Sequence, residues 1–271
     1  NKSDIAFLQY TSGSTSEPKG VMISHANLAH NLTLIITELR CSTSTIEVSW
    51  LPQYHDMGLI GSYLGCLYCG GTGYYLSPIS FLKDATCWVR AMSKYKASHT
   101  QAPNFAYALT TRKWKSYILT KKGINDTKTM NLNNLKHMIN AAEPVDASAI
   151  KDFYNIFIKY GLPSNVVIPT YGLAEHCVFV CSGGKQMITV TKDGIANDIV
   201  EVVNCCDLTG DDGVNDGASS NDIAEKSSGG SDKILQTIVG CGYPGKGDHV
   251  DVRIVNPETC IPVTVRKGDS E

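Results

Sequence analysis

The sequence predicts an α/β protein with mostly parallel sheet covered by helices, and three observations predict it. Apolar runs of strand length alternate with helical patterns over the first two-thirds of the 271 residues. Such alternation is expected when strands are joined to parallel neighbours through helices. One amphipathic helix stands out after Asp146, a favourable N-cap: Ile150, Phe153, Tyr154, Phe157 and Ile158 share one face, and Gly161 ends it. The composition, 42% apolar and 18% charged, suffices for a full buried core.

In chain order, residues 5–8 and 21–23 read as short strands flanking a polar run rich in Ser, Thr and Gly. Residues 47–51 read as a strand, 57–69 as a buried helix, 73–77 as a strand, 81–95 as helical and 97–101 as short and extended. Residues 165–169 follow the Asp146 helix as a strand, with Val166, Val167 and Ile168 wholly apolar. The alternation breaks after Cys181. Residues 207–232 hold seven acidic side chains, one lysine, five Gly and five Ser, too little apolar surface to offset ordering entropy, so this stretch is expected to be mobile and exposed. Order is expected to resume at Ile234, with residues 249–255 alternating like a half-exposed strand.

Several function classes are disfavoured. A net charge of -2 without a basic stripe argues against nucleic acid as the main partner. No apolar run approaches the roughly 20 residues of a membrane span. The chain begins at Asn1 with no signal-peptide pattern, as expected of a piece of a longer protein. The ten cysteines are scattered, several within apolar runs, which fits reduced thiols in a cytoplasmic protein. Cys66 and Cys69 have the C-x-x-C spacing but no second pair, so they read as small core side chains rather than a metal site.

The polar run Thr11-Ser12-Gly13-Ser14-Thr15-Ser16-Glu17-Pro18-Lys19-Gly20 is not a Walker loop, because Pro18 stands where that motif has glycine. It still holds the parts of an anion cradle: glycines for close approach, backbone N–H groups and hydroxyls as donors, and Lys19 as a point charge. On composition alone, a polar surface loop is the favoured reading.

The exact string resembles the phosphate loop of the adenylate-forming superfamily, which comprises acyl-CoA synthetases, peptide-synthetase adenylation domains and luciferases. Three further stretches agree in the same order. Residues 50–61, WLPQYHDMGLIG, are similar to the motif carrying a gate near the acyl carboxylate; residues 140–144, NAAEP, to the adenine-pocket segment; and residues 171–175, YGLAE, to the motif of adenine-packing Tyr and magnesium-binding Glu. YHDMGLIG and QAPNFAY (residues 101–107) are most similar to fatty acyl-AMP ligases, and the long segment at 182–236 resembles the insertion by which those enzymes hinder use of coenzyme A.

The resemblance implies activation of a fatty acid by ATP and Mg2+ as an acyl-adenylate, for transfer to an acyl-carrier protein or synthase module. It implies nucleotide contacts from Thr11, Ser12, Gly13, Ser14, Thr15, Lys19, Ala142, Glu143, Pro144, Tyr171 and Gly172. Metal ligation falls to Glu175 and Thr15, and catalytic roles to Lys19, His55 and Glu175. Each residue has a plainer alternative: a solvated Lys19, an exposed Glu175, a buried Tyr171, a His55 that merely partners Asp56, a Glu143 important only for its backbone. The acyl chain is expected between the helix at 57–69 and a turn at 105–107. His176 and Cys177 depart from the small or hydroxyl residues usual there. The division implied is an α/β core at 1–181, an insertion at 182–236 and the start of a β-rich subdomain at 237–271. The ribose-binding Asp and the lid Lys find no counterpart in the chain, so this stretch by itself is expected to be inactive. The rival expectations are an acyl-CoA synthetase and a catalytically silent binding module.

Overall fold

The polar run is flanked by strands as expected, but the strands reach further into it. In the computed structural model, which describes residues 1–11, 18–193, 202–208, 235–244, 250–253, 255 and 258–261, β1 (Ile5–Thr11) and β2 (Lys19–Ser24) form an antiparallel hairpin. Thr11 pairs with Lys19 and Tyr10 with Gly20. Ser24 ends β2 and opens helix α1 (His25–Glu38) through a reciprocal cap: its Oγ accepts from the Asn27 N–H, and Asn27 Oδ1 accepts from the Ser24 N–H, each at 3.1 Å. The sequence reading assigned no element here, because the buried Asn31 interrupts the apolar face of Leu32, Leu34 and Ile35.

The remaining strands build two sheets. The larger contains β3 (Ile46–Ser49), β4 (Thr72–Tyr75), β5 (His99–Ala102), β6 (His137–Asn140), β7 (Val167–Gly172) and β8 (Phe179–Ser182). Strands β9 (Gln186–Thr191), β10 (Val202–Asp207) and β11 (Leu235–Val239) make a separate antiparallel sheet in the order β10-β9-β11. The short β12 (Tyr243–Pro244) returns to the larger one, whose order is β12-β8-β7-β6-β5-β3-β4. Its pairings from β4 across to β7 are parallel, and those of β7 with β8 and β8 with β12 are antiparallel. The α/β class with a β-rich C-terminal segment is therefore correct.

Residues 57–68 are helical, as expected, but open with a wide-turned π-helix, Met57–Leu64, before tightening into α2 (Gly65–Tyr68). Asp56 caps it, accepting from the Met57 N–H at 2.6 Å. The single helix expected at 81–95 is two, α3 (Pro78–Lys83) and α4 (Thr86–Tyr95). Asp84 breaks the run by accepting from the Thr86 N–H and hydroxyl at 3.1 and 2.6 Å. The turn expected at 105–107 is instead the start of α5 (Asn104–Tyr117), launched by the extended Pro103. Helices α6 (Lys121–Thr129) and α7 (Ala147–Phe157) complete the set. Asp146 caps α7 as expected, accepting from the Ser148 N–H at 2.8 Å. Ile150, Phe153 and Phe157 are buried, whereas Ile158 begins a 3-10 turn and is exposed.

Aromatic rings fill the space between these helices and the sheet. Trp50 stacks on Phe81 with centroids 3.8 Å apart, and Trp88 meets Tyr107 edge to face while its Nε1 donates to Thr100 on β5. All ten cysteines are free. Burial pushes the Cys41 thiol up to about 12 and Cys66 up to about 11, so neither is a thiolate near neutral pH.

The half-exposed strand expected at 249–255 is not formed at 250–253, and Val255 makes only an isolated bridge. Side-chain alternation alone makes no strand without an edge to pair with. The acidic stretch lies outside the described residues from 209 to 232. Among the described residues, no helix is long and apolar enough to cross a membrane.

Candidate active site

Strands β5, β6 and β7 run parallel, so their carboxyl ends open on one edge of the sheet, where α/β folds generally bind ligands. Strand β5 brings Gln101 to this edge, β6 Ile139 with Ala141 and Ala142 beyond it, and β7 Thr170, Tyr171 and Gly172. Together with Ile35 and Leu39 from α1, Met57 and Gly61 from the π-helix, and Gln9, Tyr10 and Thr11 from β1, they enclose a cavity of about 450 Å³. Gln9 Nε2 donates to the Tyr54 carbonyl at 3.2 Å, tying the hairpin to the loop that carries His55. The rim residues Tyr10, Tyr54 and Tyr171 are exposed, while Ile35, Leu39, Met57, Ile139 and Phe179 inside are buried.

Five of the expected residues line this one cavity: Thr11, His55, Ala142, Tyr171 and Gly172. His55 Nδ1 sits 2.7 Å from Asp56 Oδ1. The hydrogen bond to that carboxylate raises the imidazole above its usual range against the opposing effect of burial. Tyr171 is 50% exposed, so its ring is open to a planar guest rather than packed away. Gly172 answers a packing demand as well, since a Cβ there would stand 1.7 Å from the Val178 carbonyl oxygen. Ala142 holds a left-handed φ of 72° at the cavity wall, a conformation that costs a non-glycine residue about 1–2 kcal/mol.

The others lie elsewhere. Glu143 turns away from the cavity, and its Oε1 accepts from the Phe105 N–H at the start of α5. Pro144 and Lys19 are exposed and line neither this cavity nor the next. Glu175 sits in a 3-10 turn, Ala174–His176, and lines a second cleft of about 350 Å³ with Met22, Asn27, His30 and Asn31. The two clefts are neighbours, because Ala174 lines the first and Glu175 the second. Ser12, Gly13, Ser14 and Thr15 lie outside the described residues.

The turn carrying Glu175 is pinned from beneath. Asn31 Nδ2 donates to the carbonyls of His176 at 3.1 Å and Phe179 at 2.9 Å, and its Oδ1 accepts from the Phe179 N–H at 3.1 Å. Between them Cys177 has φ 63° and ψ -70°, the centre of a γ-turn closed by Val178 N–H to His176 carbonyl at 2.8 Å. No group of three or more His, Cys, Asp or Glu suited to a metal occurs among the described residues. A single exposed carboxylate such as Glu175 nonetheless suits magnesium, which commonly takes one or two carboxylates plus phosphate oxygens and water. The sequence reading gave no role to Gln9, Asn31 or Gln101; a polar residue within a buried segment was the available signal for each.

The geometry has close relatives. Residues 1–205 match the family model described as AMP-binding enzyme. The chain is 31% identical over 263 residues to the medium-chain-fatty-acid–[acyl-carrier-protein] ligase JamA of Moorena producens, covering 96% of this chain and 39% of that protein. It is 34% identical over 211 residues to the long-chain-fatty-acid–AMP ligase FadD32 of Mycolicibacterium smegmatis, covering 74% of this chain and 32% of that one. Among solved structures, the fatty acyl-adenylate ligase from L. pneumophila, in complex with acyl adenylate and pyrophosphate, superposes with a TM-score of 0.77. It is 33% identical, with 97% of this chain and 40% of that one covered. The chain thus spans at most about two-fifths of the length of these relatives. With the family model covering three-quarters of its residues, and the parallel sheet, hairpin and edge cavity in place, the chain belongs to the AMP-binding enzyme family.

Proposed function

We propose that the full-length protein uses ATP to activate a fatty acid as an acyl-adenylate and passes the acyl group to an acyl-carrier protein or synthase module. The single observation that carries this reading is the two-sided cavity: a rim of half-buried Thr11 and exposed His55, Ala142 and Tyr171 over a buried apolar interior of Ile35, Leu39, Met57 and Ile139. A nucleotide suits the rim and an acyl chain the interior, so the carboxylate meets the α-phosphate between them. The names of JamA, FadD32 and the Legionella enzyme agree with this chemistry.

In the step proposed, a carboxylate oxygen attacks the α-phosphorus in line, the bond to the bridging oxygen breaks, and pyrophosphate leaves. No protein nucleophile is needed, so the chain contributes positioning and charge stabilisation. Tyr171 offers its face to adenine, and the backbone of residues 142–144 shapes the edge of that site. His55, held by Asp56 through Nδ1, has Nε2 left for the carboxylate. Lys19 and the adjoining residues 11–15 take the phosphates. When bound, magnesium offsets charge on those phosphates, with Glu175 and Thr15 as the residues proposed to hold it.

The segment 182–236 is read as the insertion that discourages coenzyme A. In support, its described strands belong to a sheet separate from the core. Product analysis tests the whole reading. With ATP, magnesium and a fatty acid, the full-length protein is expected to accumulate acyl-adenylate, to be discharged by a carrier protein and not by coenzyme A. Rapid conversion to acyl-CoA, or no adenylate with any fatty acid, overturns it.

A further inference from the structure

The apolar inner end of the cavity carries one polar side chain where an alkyl chain would want carbon. Ile35, Leu39, Gly61, Gln101 and Ile139 line both this cavity and a void of about 10 Å³ behind it. Gln101 is the only polar side chain of the five. It is 6% exposed, and among the described residues its amide makes no hydrogen bond. Gly61 leaves room for it, since a Cβ there would stand 2.6 Å from Gln101 Oε1 and 3.2 Å from Nε2. The amide therefore lies on the bare Cα of a glycine, held between β5 and the π-helix.

Behind this partition the surroundings remain polar. Glu47 Oε1 accepts from the Ser62 hydroxyl at 3.1 Å, and His137 keeps a buried Nδ1 without a hydrogen-bond partner among the described residues. Burial pushes the Glu47 carboxyl up to about 8, so this floor is uncharged near neutral pH. The Gln101 amide keeps an open side on the cavity, and an alkyl chain seated against it would leave it unpaired, at a cost comparable to a lost hydrogen bond. A void of about 10 Å³ is at the lower limit for one water, which leaves the cavity side as the roomier place for a partner.

We propose that Gln101 is a specificity-determining residue at the floor of the acyl site, selecting carboxylic acids whose distal end carries a hydroxyl or carbonyl over plain alkanoic acids. This rests on the reading that the cavity holds the acyl chain. A site built to hydrogen-bond a substrate group discriminates strongly against the analogue lacking it, because its own buried polar group is then left unpaired.

The test compares length-matched pairs of alkanoic and ω-hydroxyalkanoic acids, from about six to twelve carbons, in adenylate formation by the full-length protein. At the preferred length, kcat/KM is expected to favour the hydroxy acid by about tenfold or more. Gln101→Met, close in shape but apolar, is expected to reverse that preference. Gln101→Asn, a shorter amide, is expected to keep it while moving the optimum to a longer acid. A wild-type preference for plain acids at every length, or a ratio unmoved by Gln101→Met, overturns the proposal. Should no acid be adenylated, the adenylation reading itself fails, and calorimetric binding of the same pairs still decides the role of Gln101. Tighter binding of the hydroxy acid that Gln101→Met abolishes supports it; equal binding, or none, overturns it.

Discussion

At the scale of single residues, two titrating groups give the account measurable signatures. His55 is raised above its ordinary value chiefly by its hydrogen bond to Asp56. The stabilisation from that contact is fully present below about pH 6.5, the unfolded value, and fades as pH rises through the higher folded one. In a proton NMR titration, His55 is expected to show a pKa above 6.5 that falls in Asp56→Asn. An unchanged value in the variant would show that Asp56 does not hold the imidazole. Glu47 gives stability the same sign of pH dependence, by burial rather than by a charged partner. Its folded value is about 8 against 4.5 unperturbed, so the folded state binds more protons and stability falls as pH climbs between those values. Glu47→Gln, which keeps an acceptor for Ser62, is expected to gain melting temperature over wild type progressively from pH 5 to 8 and to hold that gain above. A difference that ignores pH would contradict a buried, proton-retaining Glu47.

At the scale of elements, α1 is the support on which the site loops rest. Asn31 is 1% exposed and satisfies the backbone of His176 and Phe179 on either side of the strained Cys177. Asn31→Ala takes the side-chain acceptor from the Phe179 N–H and one of two bonds from each of the His176 and Phe179 carbonyls, a loss expected to be roughly 1–3 kcal/mol in denaturant unfolding. A loss below about 0.5 kcal/mol would mean that the turn finds other partners. This element was also the least legible in the sequence. The Asp146 helix could be read from its stripe and cap, whereas α1 carries its key polar residue on the buried face and so hides its period. The break at Asp84 was missed because helix breaking there comes from a side chain bonding Thr86, not from Gly or Pro. The π-helix was read correctly as helical, yet its wider turn depends on tertiary packing, as with Gly58, where a Cβ would stand 2.2 Å from the Pro52 carbonyl oxygen.

At the scale of the whole molecule, the parallel sheet follows from the alternation of apolar runs, and the edge cavity follows from the sheet. Thr11, His55, Ala142, Tyr171 and Gly172 could be marked in the sequence because local motifs carry them to one edge. The separation of Glu175 into the neighbouring cleft could not, since it depends on how the turn at Ala174–His176 seats against Asn31 of α1. Nor could Gln101, whose importance arises only from the bare Cα of Gly61, 40 residues earlier, beneath its amide. The central claim is that this cavity joins a nucleotide rim to an acyl interior. It is tested most directly by exchange of labelled pyrophosphate into ATP by the full-length protein, with and without fatty acid. The account predicts exchange that requires both magnesium and a fatty acid and falls by about 100-fold or more in Lys19→Ala, as for loss of one preorganised donor; exchange that is absent with every fatty acid, or proceeds without one, would contradict it.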